Sequence, residues 1–155
     1  MKYLSNPYTS FDGYNCFGCS PDNPQGLRMK FSVEGDHVVS TWEPENNFQG
    51  WHNVLHGGIQ ATLMDEIASW VVFAKIGTTG VTSRMDIKLS RPMLMNKGPV
   101  RLSAKLREMR RNIAVIDVEL MDGEGTLCAE GIFHYFTYPE SVARQALFYP
   151  GKEKF

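Results

Sequence analysis

An α+β fold, one antiparallel sheet curled around a single buried helix, is predicted by three features of the sequence. Six runs carry strand character, one long stretch carries helical periodicity with apolar residues on most of its faces, and the connections are short enough to favour antiparallel neighbours. A chain of 155 residues with 43% hydrophobic content can fill one core and not two.

The elements follow in the order β-β-α-β-β-β-β. Residues 1–26 are rich in Asn, Pro, Gly and Ser and read as an irregular arm, followed by a domain over 27–138 and a tail over 139–155 with a short helix as far as Ala146. In the first strand Met29, Phe31 and Val33 alternate with Arg28, Lys30 and Ser32. Glu34-Gly35-Asp36 then turns the chain into a second strand over 37–42. Ile59, Leu63, Ile67, Trp70 and Ala74 recur at helical spacing over 58–75, and Gly77 and Gly80 bracket the stop. Thr62, Asp65, Glu66 and Ser69 form the one polar stripe on that helix. Strands over 81–89, 100–107, 113–121 and 126–136 complete the order.

Charge excludes whole classes of partner. With 16 Lys plus Arg against 17 Asp plus Glu, no global field draws the chain to nucleic acid or to an anionic membrane. No apolar run reaches the roughly 20 residues of a membrane span, and the first 12 residues lack a signal-peptide core. Three cysteines give no disulfide framework. These features make a cytoplasmic location the expectation. Cys16-x-x-Cys19 has no second pair to complete a four-ligand zinc site, and His37, His52 and His134 are scattered, so no metal or cofactor site is predicted.

The chemistry gathers at the helix. His56-Gly57-Gly58 places two glycines where backbone N–H groups lack intrahelical partners, so a developing oxyanion could be held there; a tight turn with close packing would use the same residues. Asp65 and Glu66 sit mid-helix among apolar faces, as an acid-base group would, or as a partner to a sheet cation. Eight residues at ~1.5 Å rise separate Gly57 from Asp65 by ~12 Å, too far to act on one carbonyl. Two antiparallel copies of the helix across a twofold axis would bring Gly57 of one to Asp65 of the other, which predicts a homodimer with two equivalent sites.

His56-Gly57-Gly58, six residues, then Asp65 resembles the signature of hotdog-fold acyl-CoA thioesterases of the phenylacetate-pathway and thioesterase-superfamily type, and Lys88-Leu89-Ser90-Arg91-Pro92 is similar to the exit of their third strand. The Cys16-Phe17-Gly18-Cys19 arm, with Asn23-Pro24 to Gly26-Leu27, is similar to arms on some members. The resemblance implies a six-stranded antiparallel sheet wrapped around one helix, dimers often paired into tetramers, and hydrolysis of acyl-CoA without a metal. It assigns Asp65 as general base or nucleophile, the Gly57 N–H to the thioester carbonyl with Gly58 assisting, and His56 to the entrance. Thr82 takes the hydroxyl position that orients water or Asp65, with Ser83 its rival if the strand shifts by one. Glu66 is the alternative base. Relatives often carry Asn or Gln six residues before the histidine; here that position is Gly50, leaving Asn53 or Gln49 to take the part. Arg84, Arg110 and Arg111 are the cations that CoA phosphates would call for, although such a cluster reads more readily as a solvated basic edge. A hotdog hydratase or dehydratase and a non-catalytic acyl-CoA or fatty-acid binder are the competing functions.

Overall fold

The computed structural model describes residues 1–155. Its strands are β1 (Lys2–Tyr3), β2 (Ser32–Glu34), β3 (His37–Trp42), β4 (Gly80–Leu89), β5 (Val100–Arg110), β6 (Ile113–Met121) and β7 (Leu127–Thr137). They form one antiparallel sheet in the order β1-β2-β3-β5-β6-β7-β4. Helix α1 (Gly57–Val71) lies across it, and a second helix, α2 (Glu140–Ala146), follows the last strand. The hotdog arrangement is therefore present with seven strands rather than six. The extra one, β1, is two residues of the arm paired to Ser32 and Val33, too short to leave a periodic trace.

The first predicted strand shortens for a physical reason. Leu27, Met29 and Phe31 do point into the core, but the Leu27 and Met29 N–H groups donate to Phe17 and Gly18 carbonyls of the arm, and Arg28 takes φ +52°. Alternation reported burial there, while the hydrogen bonds run to a loop. Beyond α1 the helix continues as a wider turn, Val72–Ile76, in which the Gly77 N–H reaches the Val72 carbonyl; Gly77 then ends it at φ +89°, a left-handed conformation that favours glycine.

The core is one cluster of 31 buried residues. Leu63, Met64, Ile67, Ala68, Trp70 and Val71 supply the inner face of α1, and the Trp70 ring stacks on Phe31 with centroids 4.3 Å apart. No helix is long and apolar enough to cross a membrane. Strand β4 closes one end of the sheet, so its outer edge has no hydrogen-bonded neighbour.

Candidate active site

The entrance of α1 is built by His56. Its backbone sits at φ −56° and ψ 133°, outside the helix, and its Nδ1 accepts the Gly58 N–H at 2.9 Å, so the imidazole is the N-cap. The Gly58 N–H is therefore already committed, and the expected assistance from Gly58 is not available in this geometry. The Gly57 N–H enters no hydrogen bond within the chain. Gly57 lines a cavity of about 330 Å³ together with Gly50, Trp51, Val54, Leu55 and His56. A half-buried glycine at the first helical position thus presents a bare donor at the positive end of the helix.

Asp65 is half-buried, two turns further on. Thr82 donates its hydroxyl to Asp65 Oδ1 at 2.8 Å, and the Tyr135 hydroxyl also donates to Oδ1 while lying 2.7 Å from the Asp65 carbonyl oxygen. Oδ2 accepts no hydrogen bond. Tyr135 is 2% exposed; burial first and the Asp65 charge second push its pKa far above the ordinary phenol range, so it remains a donor at any physiological pH.

Strand register explains why Thr82 rather than Ser83 meets the acid. Thr82 lies opposite Tyr135 across the β4–β7 pairing, so both side chains point to the same face of the sheet. A bulge between Thr82 and Arg84 leaves Ser83 without a cross-strand partner, and its exposed hydroxyl donates to the His134 carbonyl at 3.1 Å.

Glu66 does not share the site. The polar stripe expected on the helix divides, because neighbouring helical residues point about 100° apart. Asp65 faces Thr82 and Tyr135, whereas Glu66 faces the arm, with Cys16 Sγ 3.7 and 3.9 Å from its two carboxylate oxygens. Burial first, then the neighbouring Cys16, raise the Glu66 pKa to about 7.

The remaining expected residues lie elsewhere. Asn53, at φ +59°, holds a turn: its Oδ1 accepts the Asn96 N–H at 3.0 Å, and its own N–H donates to Gln49 Oε1 at 2.8 Å. The side-chain oxygens of Asn53 and Gln49 are thus both used in loop structure. Gly50 packs closely on the cap, since a Cβ there would sit 3.3 Å from His56 Cα. Arg84 pairs with Asp86 at 3.2 Å, Arg110 pairs with Glu108, and Arg111 occupies the β5–β6 turn at φ +56°; all three are exposed. Tyr135 is the site residue that sequence reasoning missed. The available signal was a phenol on the inward face of an alternating strand, which must find a buried polar partner.

The thioesterase superfamily model matches residues 52–129, half of the chain. A protein of Saccharolobus solfataricus, an esterase by name only, is 28% identical over 96 residues, 61% of this chain and 62% of that protein, so the match leaves over a third of that relative unaccounted for. A similarly named protein of Thermoplasma volcanium is 26% identical over 127 residues, covering 72% and 94%. Among solved structures, smu.793 of Streptococcus mutans bound to acetyl CoA has a TM-score of 0.68 at 20% identity, covering 84% of this chain and 98% of that one. The PaaI protein of the Escherichia coli phenylacetic acid degradation operon has a TM-score of 0.65 at 20% identity, covering 74% and 82%. These structures share the fold. With the family match spanning Gly57, Asp65 and Thr82, the chain belongs to the thioesterase superfamily and has its hotdog fold.

Proposed function

We propose that the chain hydrolyses acyl-CoA thioesters to free acid and CoA, at sites formed between two copies of the chain. One observation carries this reading: Asp65 has one carboxylate oxygen fixed by Thr82 and Tyr135 and the other without a partner, on a helix whose first residue offers an unused N–H. Asp65 Oδ2 takes a proton from water as the water oxygen attacks the thioester carbonyl. The developing oxyanion is held by the Gly57 N–H, and collapse of the tetrahedral adduct expels CoA as the thiolate.

Within one chain the ~12 Å between Gly57 and Asp65 keeps these two groups apart. A second copy answers this, and β4 is where it fits. Its outer edge is unpaired, and Met85 and Leu89, opposite buried Phe133 and Ala129, are 52% and 49% exposed on what is elsewhere the covered face. Trp51, 85% exposed beside the Gly57 cavity, adds apolar surface for the partner or the acyl chain. Dimers of this kind can pair further into tetramers. Arg84, Arg110 and Arg111 are offered to the CoA phosphates. Arg84 and Arg110 would exchange a surface carboxylate for phosphate, which costs little because exposed pairs contribute at most about 1 kcal/mol.

The test is free-thiol release from short, long and aromatic acyl-CoAs. Wild type turns over at least one class, Asp65→Asn loses at least about 100-fold in kcat, and Glu66→Gln loses far less. Folded wild type that releases no thiol from any of them, or Asp65→Asn that keeps its turnover, would refute the assignment.

A further inference from the structure

The arm and the outer side of α1 bring together three metal-ligating side chains that the proposed hydrolysis does not use. Cys16 Sγ, Cys19 Sγ and a Glu66 carboxylate oxygen all lie within 4.8 Å of one another, spacings that one central ion can span. The sequence alone gave only two ligands here. Folding adds the third, from 47 residues beyond Cys19. We propose that Cys16, Cys19 and Glu66 form a binding site for a zinc-type divalent cation that clips the arm to α1.

The loop is shaped for this. A Cβ at Gly18 would collide with the Glu66 carboxylate carbon, so the glycine lets the loop pack directly against the acid where it stands. Further out, the Tyr14 hydroxyl lies 3.0 Å from Cys19 Sγ, and the Asn6 amide donates to Tyr14 at 3.1 Å and approaches Cys19 Sγ at 3.7 Å.

Charge calls for a cation. All three groups become anionic when they ligate, and no Lys, Arg or His lines the cavity of about 340 Å³ on which they open. A divalent ion would displace the remaining protons and balance two of the three charges.

The three side chains open on the same cavity as Thr79, whose buried hydroxyl has no hydrogen-bond partner. Three protein ligands leave a fourth position for water. Two thiolates with one carboxylate suit zinc better than copper(I), which avoids hard oxygen ligands, or magnesium, which avoids thiolates.

The site is tested on the reduced full-length chain under anaerobic conditions, titrated with Co²⁺ and then Zn²⁺. One Co²⁺ per chain is expected, with a thiolate-to-cobalt charge-transfer band that Zn²⁺ abolishes. Cys16→Ser and Cys19→Ser should lose most of that band. Glu66→Gln, nearly isosteric, should keep it while binding roughly tenfold or more weakly. Cys128→Ser, a thiol outside the cluster, should titrate as wild type does. Fully reduced, folded wild type that gives no charge-transfer band overturns the proposal, as does a band retained in full by Cys16→Ser. If that reduced protein binds no metal and closes a Cys16–Cys19 disulfide in air, the pair is a redox couple and the metal site is refuted. None of these readouts depends on thioester turnover.

Discussion

Gly57→Pro separates the role of the Gly57 N–H from its role in the fold. Proline removes the N–H and fixes φ near −65°, which suits the first position of a helix. The residue before a proline must be extended, and His56 at φ −56° and ψ 133° already is. No hydrogen bond is broken, since the Gly57 N–H makes none and the His56 Nδ1 cap engages Gly58. The added Cβ meets only Leu89 Cδ1 at 3.2 Å, the free end of a side chain that is 49% exposed. Stability should therefore stay within about 1 kcal/mol of wild type in thermal unfolding. Loss of one oxyanion donor is worth about 3 kcal/mol, so kcat for acyl-CoA hydrolysis should fall roughly 100- to 1000-fold. Gly57→Ala keeps the N–H and should retain activity within about tenfold of wild type. If Gly57→Pro stays folded and its kcat remains within about threefold of wild type, the Gly57 N–H does not hold the oxyanion.

Two further outcomes follow from the same structure. Tyr135→Phe and Thr82→Val each remove one donor to Asp65 Oδ1 and should lower kcat roughly 10- to 100-fold with little change in KM, whereas Ser83→Ala, which touches only the His134 carbonyl, should stay within about twofold; steady-state kinetics giving equal losses for Thr82 and Ser83 would defeat the positioning argument. Asp122 accepts the Thr126 and Glu124 N–H groups on Oδ1, and these bonds, the Thr126 one first, hold its pKa below the ordinary carboxylate range. Its contribution is therefore complete above the unfolded pKa of about 4 and is lost as pH falls through the lower folded value. The Tm gap between wild type and Asp122→Asn should be constant near neutrality and close in acid; a gap that persists to the most acid pH at which the chain folds would contradict this.

What the sequence revealed was periodicity and spacing. Five strands and α1 carry enough turns or alternations for burial to mark them, and β3 and β6 begin and end where expected. Three features depend on contacts that periodicity cannot express. β1 exists because two arm residues dock on β2. The stretch from Leu27 to Phe31 alternates as a strand would, yet bonds to the Cys16–Cys19 loop. The β4 bulge, which decides between Thr82 and Ser83, inserts one residue into a period of two. The acid itself was visible from its distance to His56, but its neighbour Tyr135 is 70 residues away in the chain and becomes its partner only through the β4–β7 register.

The glycine at position 50, where relatives often carry an amide, is explained by the loop around it. Its N–H donates to the Val54 carbonyl at 2.9 Å, and a Cβ here would meet His56 Cα at 3.3 Å, so a side chain would press on the residue that caps α1. An amide at this position would therefore disturb the His56 contact that commits the Gly58 N–H and leaves the Gly57 N–H bare. Gln49 Oε1 accepts the Asn53 N–H and Asn53 Oδ1 accepts the Asn96 N–H, so the carbonyl ends of both amides are committed to the loop. On the proposed reading, Asp65 orients the attacking water. The two hydroxyls on Oδ1 then have a definite consequence: by fixing the carboxylate plane they aim Oδ2, and rotation of Asp65 after loss of either hydroxyl would cost turnover without loosening substrate binding.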